Sequence, residues 1–382
     1  MTTTTGTPGS NGRRRIVRGL AGGVVLLLAA AGVAVAGHND PPARVAVGRA
    51  APESTTSSTD APTSTSLDPT TTDAPPASSA PAPPRAATTS APHSSSSAPR
   101  TTAAPRPAPP PPPPPTGFTA AFYYGWYPSS FSNPGTKYHP TDGAYDSNNL
   151  GEVQHQISEM RYAGMQGAIA SWWGPASSLP YGYAQVDRAF GVDLQAAHGT
   201  PFQWAVYFES GSPAFGDRSV GALQSYMAYV RDHYAGDPNY LHMAGRPVIF
   251  VWPNAGDGCD MVQRWHDANI GFYIVQKRFD GWQSCTGLAD SWHEYSPNVY
   301  RSVLSPYSYS VSPGFNRYDS QGPYLARDPG QFDAAVAAMA AAPVQWKLVT
   351  TFNEWGEGTA VEPAAEWGTQ YLDILHNHLG SR

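Results

Sequence analysis

WKLVTTFNEWGEGTAVEP, residues 346–363, is the stretch on which the reading of the fold turns. Apart from Lys347 its first seven residues are apolar, aromatic or β-branched, and with Gln345 they predict a strand over 345–352. Three acids follow, Glu354, Glu357 and Glu362, set around Trp355 and the glycines Gly356 and Gly358. Glycine frees the backbone at the point where a strand would open into a loop. Two carboxyls three residues apart at a strand end can be driven to different pKa values by burial and by each other's charge. One then keeps a proton near neutrality while the other is ionised, which suits glycoside cleavage. The plainer reading is a pair of solvated loop acids. Glu362, before Pro363, reads as a structural or sugar-binding group.

Working back from this stretch, the same step of apolar run then helical pattern recurs to residue 118. Strands are predicted over 118–126, 167–173, 202–209, 246–252, 271–277, 291–295 and 307–311, before the one at 345–352. Helices are predicted over 149–163, 183–197, 220–234, 260–268, 331–341 and 366–378. In the first of these Val153, Ile157 and Met160 share one face at helical spacing, and Gly164 supplies a stop. Eight such steps predict an α/β fold, a (β/α)8 TIM-type barrel over 118–382. A doubly wound open sheet is the alternative.

In a parallel barrel the chemistry sits at the C-terminal ends of the strands. Those ends carry Tyr123, Tyr124, Trp126 and Tyr127; then Ser171, Trp172 and Trp173; then Tyr207, Phe208 and Glu209. Later ends carry Trp252, then His293, Glu294 and Tyr295, then Asn353, Glu354, Trp355 and Glu357. Flat rings stack on the C–H faces of sugars, while acids and amides bind hydroxyls. The rim therefore reads as a carbohydrate site, although any single ring could equally fill core. Glu354 and Glu357 are the catalytic candidates. Tyr123, Tyr124, Trp126, Trp172, Trp173, Glu209, Trp252, Tyr295, Asn353, Trp355 and Glu362 are the candidate substrate contacts.

These motifs resemble a known family. TFNEWGEGTAVEPA is similar to the last-strand motif S-F-N-E-W-H-E-G-T-x-I-E-P-A of glycoside hydrolase family 99, the endo-α-mannosidases and endo-α-mannanases. AFYYGWY at 121–127 resembles that family's opening strand, SWWG at 171–174 its second, and SVSPGFN at 310–316 its seventh-strand segment. The resemblance implies an eight-stranded barrel and retaining hydrolysis with no metal or other cofactor. It implies that Glu354 deprotonates the sugar 2-hydroxyl to give an anhydrosugar. Glu357 would protonate the leaving oxygen and then activate water. Glu209 would hold sugar hydroxyls, Tyr295 would stand in the active site, and Trp172 or Trp173 would contact the next sugar. Gly356 departs from the motif, which has His there. The WbsX glycosyltransferase-like family, with N-E-W-[GA]-E-G, is also similar at this stretch.

The expected activity is thus cleavage of α-glycosidic linkages in a polysaccharide or glycan, with α-mannosidic linkages as the narrower expectation. The rival classes are a non-catalytic carbohydrate-binding or wall-associated module and a glycan-modifying transferase. Against a transferase, nucleotide-sugar donors are cytoplasmic and no phosphate-cradling glycine loop is present. The net charge of −6 comes with no basic patch, so a nucleic-acid partner is not expected. The domain is expected to be a monomer.

The other end of the 382-residue chain is of a different composition. Arg13, Arg14, Arg15 and Arg18 precede an apolar run that ends at Ala34-Val35-Ala36. This predicts a signal peptide or an uncleaved anchor over 1–36, with 16–36 as the membrane tether and a twin-arginine-like pair. Residues 37–117 are rich in Ser, Thr, Ala and Pro, with a proline run from Pro109 to Pro115. Such a segment buries too little to offset chain entropy, and predicts a disordered, extended linker open to O-glycosylation. All eleven Trp follow it, from Trp126 to Trp367. The predicted location is extracellular or at the cell surface. There Cys259 and Cys285 are expected to form one disulfide, the alternative being two buried thiols.

Overall fold

The computed structural model of the protein describes residues 117–178, 184–212, 215–254 and 256–380. The predicted leader at 1–36 and all but the last residue of the predicted linker lie outside them. In chain order the elements are β1 (Phe118–Tyr123), α1 (Leu150–Tyr162), β2 (Gly167–Trp172), α2 (Ala184–Ala197), β3 (Gln203–Glu209) and α3 (Val220–His233). There follow β4 (His242–Met243), β5 (Arg246–Trp252), α4 (Cys259–Ala268), β6 (Tyr273–Lys277), β7 (Ser291–His293), β8 (Arg301–Leu304) and β9 (Ser308–Val311). The last three are α5 (Pro329–Ala341), β10 (Trp346–Val349) and α6 (Gln370–Leu379).

The sheet runs β7-β6-β5-β3-β2-β1-β10-β9-β8, with β4 beside β5. The pairings from β7 round to β9 are parallel. Chain order is kept around the sheet, and the first strand lies beside the last long one, Phe118 opposite Trp346. A doubly wound sheet reverses direction at a central switch point and leaves its outermost strands apart. The observed order is instead that of a nearly closed, barrel-like sheet in a mixed α/β fold. Side chains tie β7 and the residue after it to β9 and β10. Ser310 Oγ donates to the Glu294 carbonyl at 2.5 Å, and Trp346 Nε1 to Ser291 Oγ at 2.9 Å. The two antiparallel strands, β4 and β8, were not expected from the sequence. β4 is only two residues long, too short to leave a periodic signal.

Both faces of the sheet are buried, as parallel strands require. Ala120, Phe122, Tyr124, Tyr207, Phe250, Trp252, Val275 and Trp346 pack inside the barrel. Ala121, Tyr123, Ala170, Trp172, Phe208, Val251 and Val349 pack outward, against Val153, Ile157 and Met160 of α1 and Met227 of α3. The helix ends follow local chemistry. Asn149 accepts from Gly151 N at 3.0 Å at the head of α1, and Asp328 from Gly330 N at 2.9 Å at the head of α5. Gly164, at φ +83°, ends α1, and a Cβ there would meet the Leu379 carbonyl carbon at 2.5 Å. Cys259 and Cys285 form the expected disulfide, with Cα atoms 5.6 Å apart. Among the described residues no helix is long and apolar enough to cross a membrane.

Candidate active site

Strand alternation sorts the candidates first. Inside the barrel mouth stand Tyr124 from the end of β1, Glu209 from β3, Trp252 from β5 and Tyr295 beyond β7. Glu354 and Glu357 follow β10 in the same mouth. Tyr124 Oη donates to Tyr295 Oη at 3.1 Å, and Tyr295 Oη to Glu357 Oε2 at 2.8 Å. Trp126 lies over Tyr124, ring centres 4.5 Å apart, and meets Trp173 edge-on at 5.6 Å.

Glu354 is buried. Its Oε1 accepts from Glu357 N at 3.2 Å, while its Oε2 is buried with no hydrogen-bond partner among the described residues. Burial, then the charge of Glu357, raises its pKa well above the usual carboxylate range, with the Glu357 and Gly356 amides opposing. Burial raises Glu357 to about 7, opposed by the Tyr295 hydrogen bond and the Arg317 charge. Glu209 is raised to about 8 by burial, with a Ser171 hydrogen bond opposing and Glu357 adding. Three carboxyls thus share one low-dielectric space and cannot all ionise together at neutrality.

Loops from other strands brace this arrangement. Asn316 N donates to the Glu357 carbonyl and Tyr318 N to that of Gly356, both at 2.9 Å. Arg327 Nη2 donates to the carbonyls of Gly358 at 3.1 Å and Ala360 at 2.5 Å. Its guanidinium carbon lies 3.6 Å from the centre of the Trp367 ring. The pieces of the SVSPGFN segment and of the long α5 approach therefore fix the backbone on which both acids stand.

Five of the candidate contacts are placed elsewhere. Tyr123 and Trp172 point outward into the helix layer. Tyr123 Oη donates to Gln156 Oε1 at 2.7 Å, and Trp172 Nε1 to Asp187 Oδ1 at 2.7 Å. The correction follows from period-two alternation, which sends Tyr124 and Trp173 to the other side. Asn353 spends its amide on the backbone of Tyr124, accepting from its N–H at 2.8 Å and donating to its carbonyl at 3.0 Å. Trp355 is wholly buried, stacked on Trp367 at 5.9 Å. Glu362 lies behind it and accepts from Tyr145 Oη at 2.8 Å, Gln156 Nε2 at 2.7 Å and Trp355 Nε1 at 2.8 Å. These residues hold the site from behind.

The sequence reading also missed residues. Lys277 continues the inward series of Tyr273 and Val275, and its Nζ lies 4.8 Å from the centre of the Trp252 ring. It stands 3.7 Å from Glu294 Oε1, and Arg278 pairs with the same carboxylate. That face of Trp252 is therefore covered by a cation, which limits it as a stacking platform. Lysine at the C-terminal end of an apolar strand was the available signal. His293 faces Tyr207 Oη at 3.1 Å, and burial and then Lys277 hold it well below its usual pKa, neutral.

No family model and no curated protein matches the chain. Solved structures do. The chain is similar to the GH99 endo-α-mannosidase from Bacteroides thetaiotaomicron in complex with BIS-TRIS-propane, at 17% identity and a TM-score of 0.53. That match covers 69% of this chain and 95% of that one. A second structure of the same enzyme matches at 17% identity and a TM-score of 0.51, over 69% and 96%. A glycoside hydrolase-like protein matches at 17% identity and a TM-score of 0.53, over 69% and 94%. The likeness is one of fold, and it takes in nearly the whole length of those chains.

Proposed function

We propose that the chain is a glycoside hydrolase acting on α-glycosidic linkages, α-mannosidic ones first, with Glu354 and Glu357 as its working pair. The observation that carries this reading is the meeting of Glu209, Glu354 and Glu357 in one aromatic-lined mouth with their proton affinities raised. The fold shared with endo-α-mannosidases supports it.

A pair of coupled carboxyls that keeps one proton near neutrality is at once an acid and a base. Glu354, whose Oε2 is uncommitted, takes the proton of the sugar 2-hydroxyl as that oxygen closes on C1. Glu357 gives its proton to the leaving oxygen as the C1–O bond breaks. Water then adds to C1 of the anhydrosugar, losing its proton to Glu357, while Glu354 returns the first proton to O2. Two inversions leave the anomeric configuration retained. Glu209 holds hydroxyls, and Tyr124, Trp126 and Trp173 supply apolar walls. The leader-like 1–36 and the linker-like 37–117 support an exported enzyme acting on extracellular glycan, whether released or tethered.

The test is incubation of the protein with mannans, glucans and arabinans, with the products sized. Glu354→Gln and Glu357→Gln should each cut turnover by roughly 10²–10⁴, the usual worth of a positioned acid or base. Near-wild-type turnover in either variant sinks the assignment.

A further inference from the structure

Glu362 is a buried carboxylate that the proposed reaction does not use. Its two oxygens meet three neutral donors: Tyr145 Oη and Trp355 Nε1 on Oε2, Gln156 Nε2 on Oε1. Among the described residues no cation forms an ion pair with it. Burial, with the Glu159 charge adding, raises its proton affinity to about 8 even with the three donors opposing. The hydrogen-bond geometry is nonetheless that of the ionised form, because a proton on either oxygen would face an N–H or O–H already directed at it.

Each donor leads to a different part of the active-site support. Gln156 stands on α1 and accepts from Tyr123 Oη at 2.7 Å. Tyr145 Oη also receives Asn353 Nδ2 at 3.3 Å and Trp355 Nε1 at 3.1 Å. Trp355 lies between the two working acids in the chain, and its own N–H reaches Tyr127 Oη at 3.2 Å. Trp355 thus joins Glu362, through its ring, to the backbone that carries Glu354 and Glu357, through its amide.

We infer that Glu362, through Gln156, Tyr145 and Trp355, is a positioning residue that sets the geometry of the Glu354–Glu357 pair by hydrogen-bond polarity. Only an all-acceptor group satisfies three donors converging on one point. This inference rests on the reading of Glu354 and Glu357 as the working pair.

Polarity makes a specific prediction. In Glu362→Gln, the new amide N–H₂ faces the Gln156 amide N–H₂, donor against donor. In Gln156→Glu, two carboxylates face each other in a buried space. In the double variant the roles exchange. The amide now at position 362 accepts through its oxygen from Tyr145 and Trp355. Its nitrogen donates to the carboxylate now at position 156, whose other oxygen accepts from Tyr123. Every bond is restored, with donor and acceptor swapped between positions 156 and 362.

The experiment measures kcat and KM of the full chain on an α-mannan for wild type, Glu362→Gln, Gln156→Glu and the double variant. Each single change should lower kcat about 10- to 100-fold with KM moved less than about threefold, because a displaced working group costs rate more than binding. The double variant should recover to within about fivefold of wild type. Wild-type kcat in both single variants, or a double variant no better than the worse single, overturns the inference. If a single variant fails to fold, folding of the double variant is itself the expected rescue. If the double fails too, Tyr145→Phe decides: about a tenfold loss of kcat is expected from one lost bond to a charged group, and unchanged kcat overturns the proposal.

A second readout separates this inference from the assigned activity. In protein carrying ¹⁵N-tryptophan, the Trp355 indole N–H resonance, identified with Trp355→Phe, should shift in Glu362→Gln and return in the double variant. If wild type cleaves no α-mannan, the assigned substrate fails while this signal still tests the network. An indole signal indifferent to both substitutions overturns the network itself.

Discussion

A Cβ on Gly356 would stand 2.9 Å from Glu354 Oε1. The glycine in the middle of the acid motif is thus a space left for the carboxyl of the residue two before it. Its φ is not among the left-handed ones, so the requirement is for room and not for backbone freedom. Gly356→Ala should fold normally and displace the Glu354 carboxyl. Misplacement of that order costs up to about 100-fold in rate. The measurement is kcat on the best substrate beside the thermal midpoint. Unchanged kcat would mean that Glu354 does not work from this position. The same contact bears on the motif's departure from the family 99 pattern, because a histidine here would need Glu354 placed differently.

Glu354 and Glu357 titrate as a coupled pair that shares a proton, and the working form has Glu354 ionised and Glu357 protonated, so the rate should fall on either side of an optimum as the pair gains or loses its proton. The Tyr295 hydroxyl stabilises the ionised form of Glu357 and so lowers its pKa. Tyr295→Phe should therefore move the alkaline limb of the kcat/KM profile upward. A limb that stays in place would put the titrating group elsewhere.

Stability should follow the same groups. Glu209 and Glu357 are raised from 4.5 to about 8 and about 7, so the folded chain binds these protons more tightly than the unfolded chain. Their contribution is full below 4.5 and is lost as pH rises through 7 to 8. The thermal midpoint should decline across that interval, and Glu209→Gln should flatten the decline. Equal slopes in wild type and variant would contradict the burial of this carboxyl.

The Cys259–Cys285 bridge links the start of α4 to the segment between β6 and β7. Closing a loop of 26 residues is worth about 3.5 kcal/mol on the chain-entropy account. Reductant, or the double change to serine, should lower the unfolding free energy by about that amount in a denaturant titration. No change would show that the unfolded chain is not restrained by the bridge.

The order and type of the long elements could be read from the sequence because most strands are compact apolar runs with a helical pattern after them. The acid pair could be read because glycines, aromatics and carboxyls converge on one strand end. The side of the sheet could not. Tyr123 and Tyr124, or Trp172 and Trp173, are chemically alike, and strands buried on both faces lack the regular apolar-polar alternation that would mark the inside. The strand ends were drawn too long for a related reason. Beyond Tyr123 and Val349 the side chains remain aromatic or β-branched while the backbone leaves the ladder to line the mouth. Lys277 escaped, and Glu362 was left between a structural and a sugar-binding reading, because their partners are brought from distant segments.

The backbone register of β1 with β10 ends at Ala121 opposite Val349, yet Tyr124 is still held, by the side chain of Asn353. A carboxamide there stands in for a peptide group. The Tyr124 amide hydrogen is consequently shielded by one movable side chain and not by a neighbouring strand. Its exchange with deuterium should report loosening of the mouth alone, a single-proton gauge that slows when glycan fills the site and quickens in Asn353→Ala.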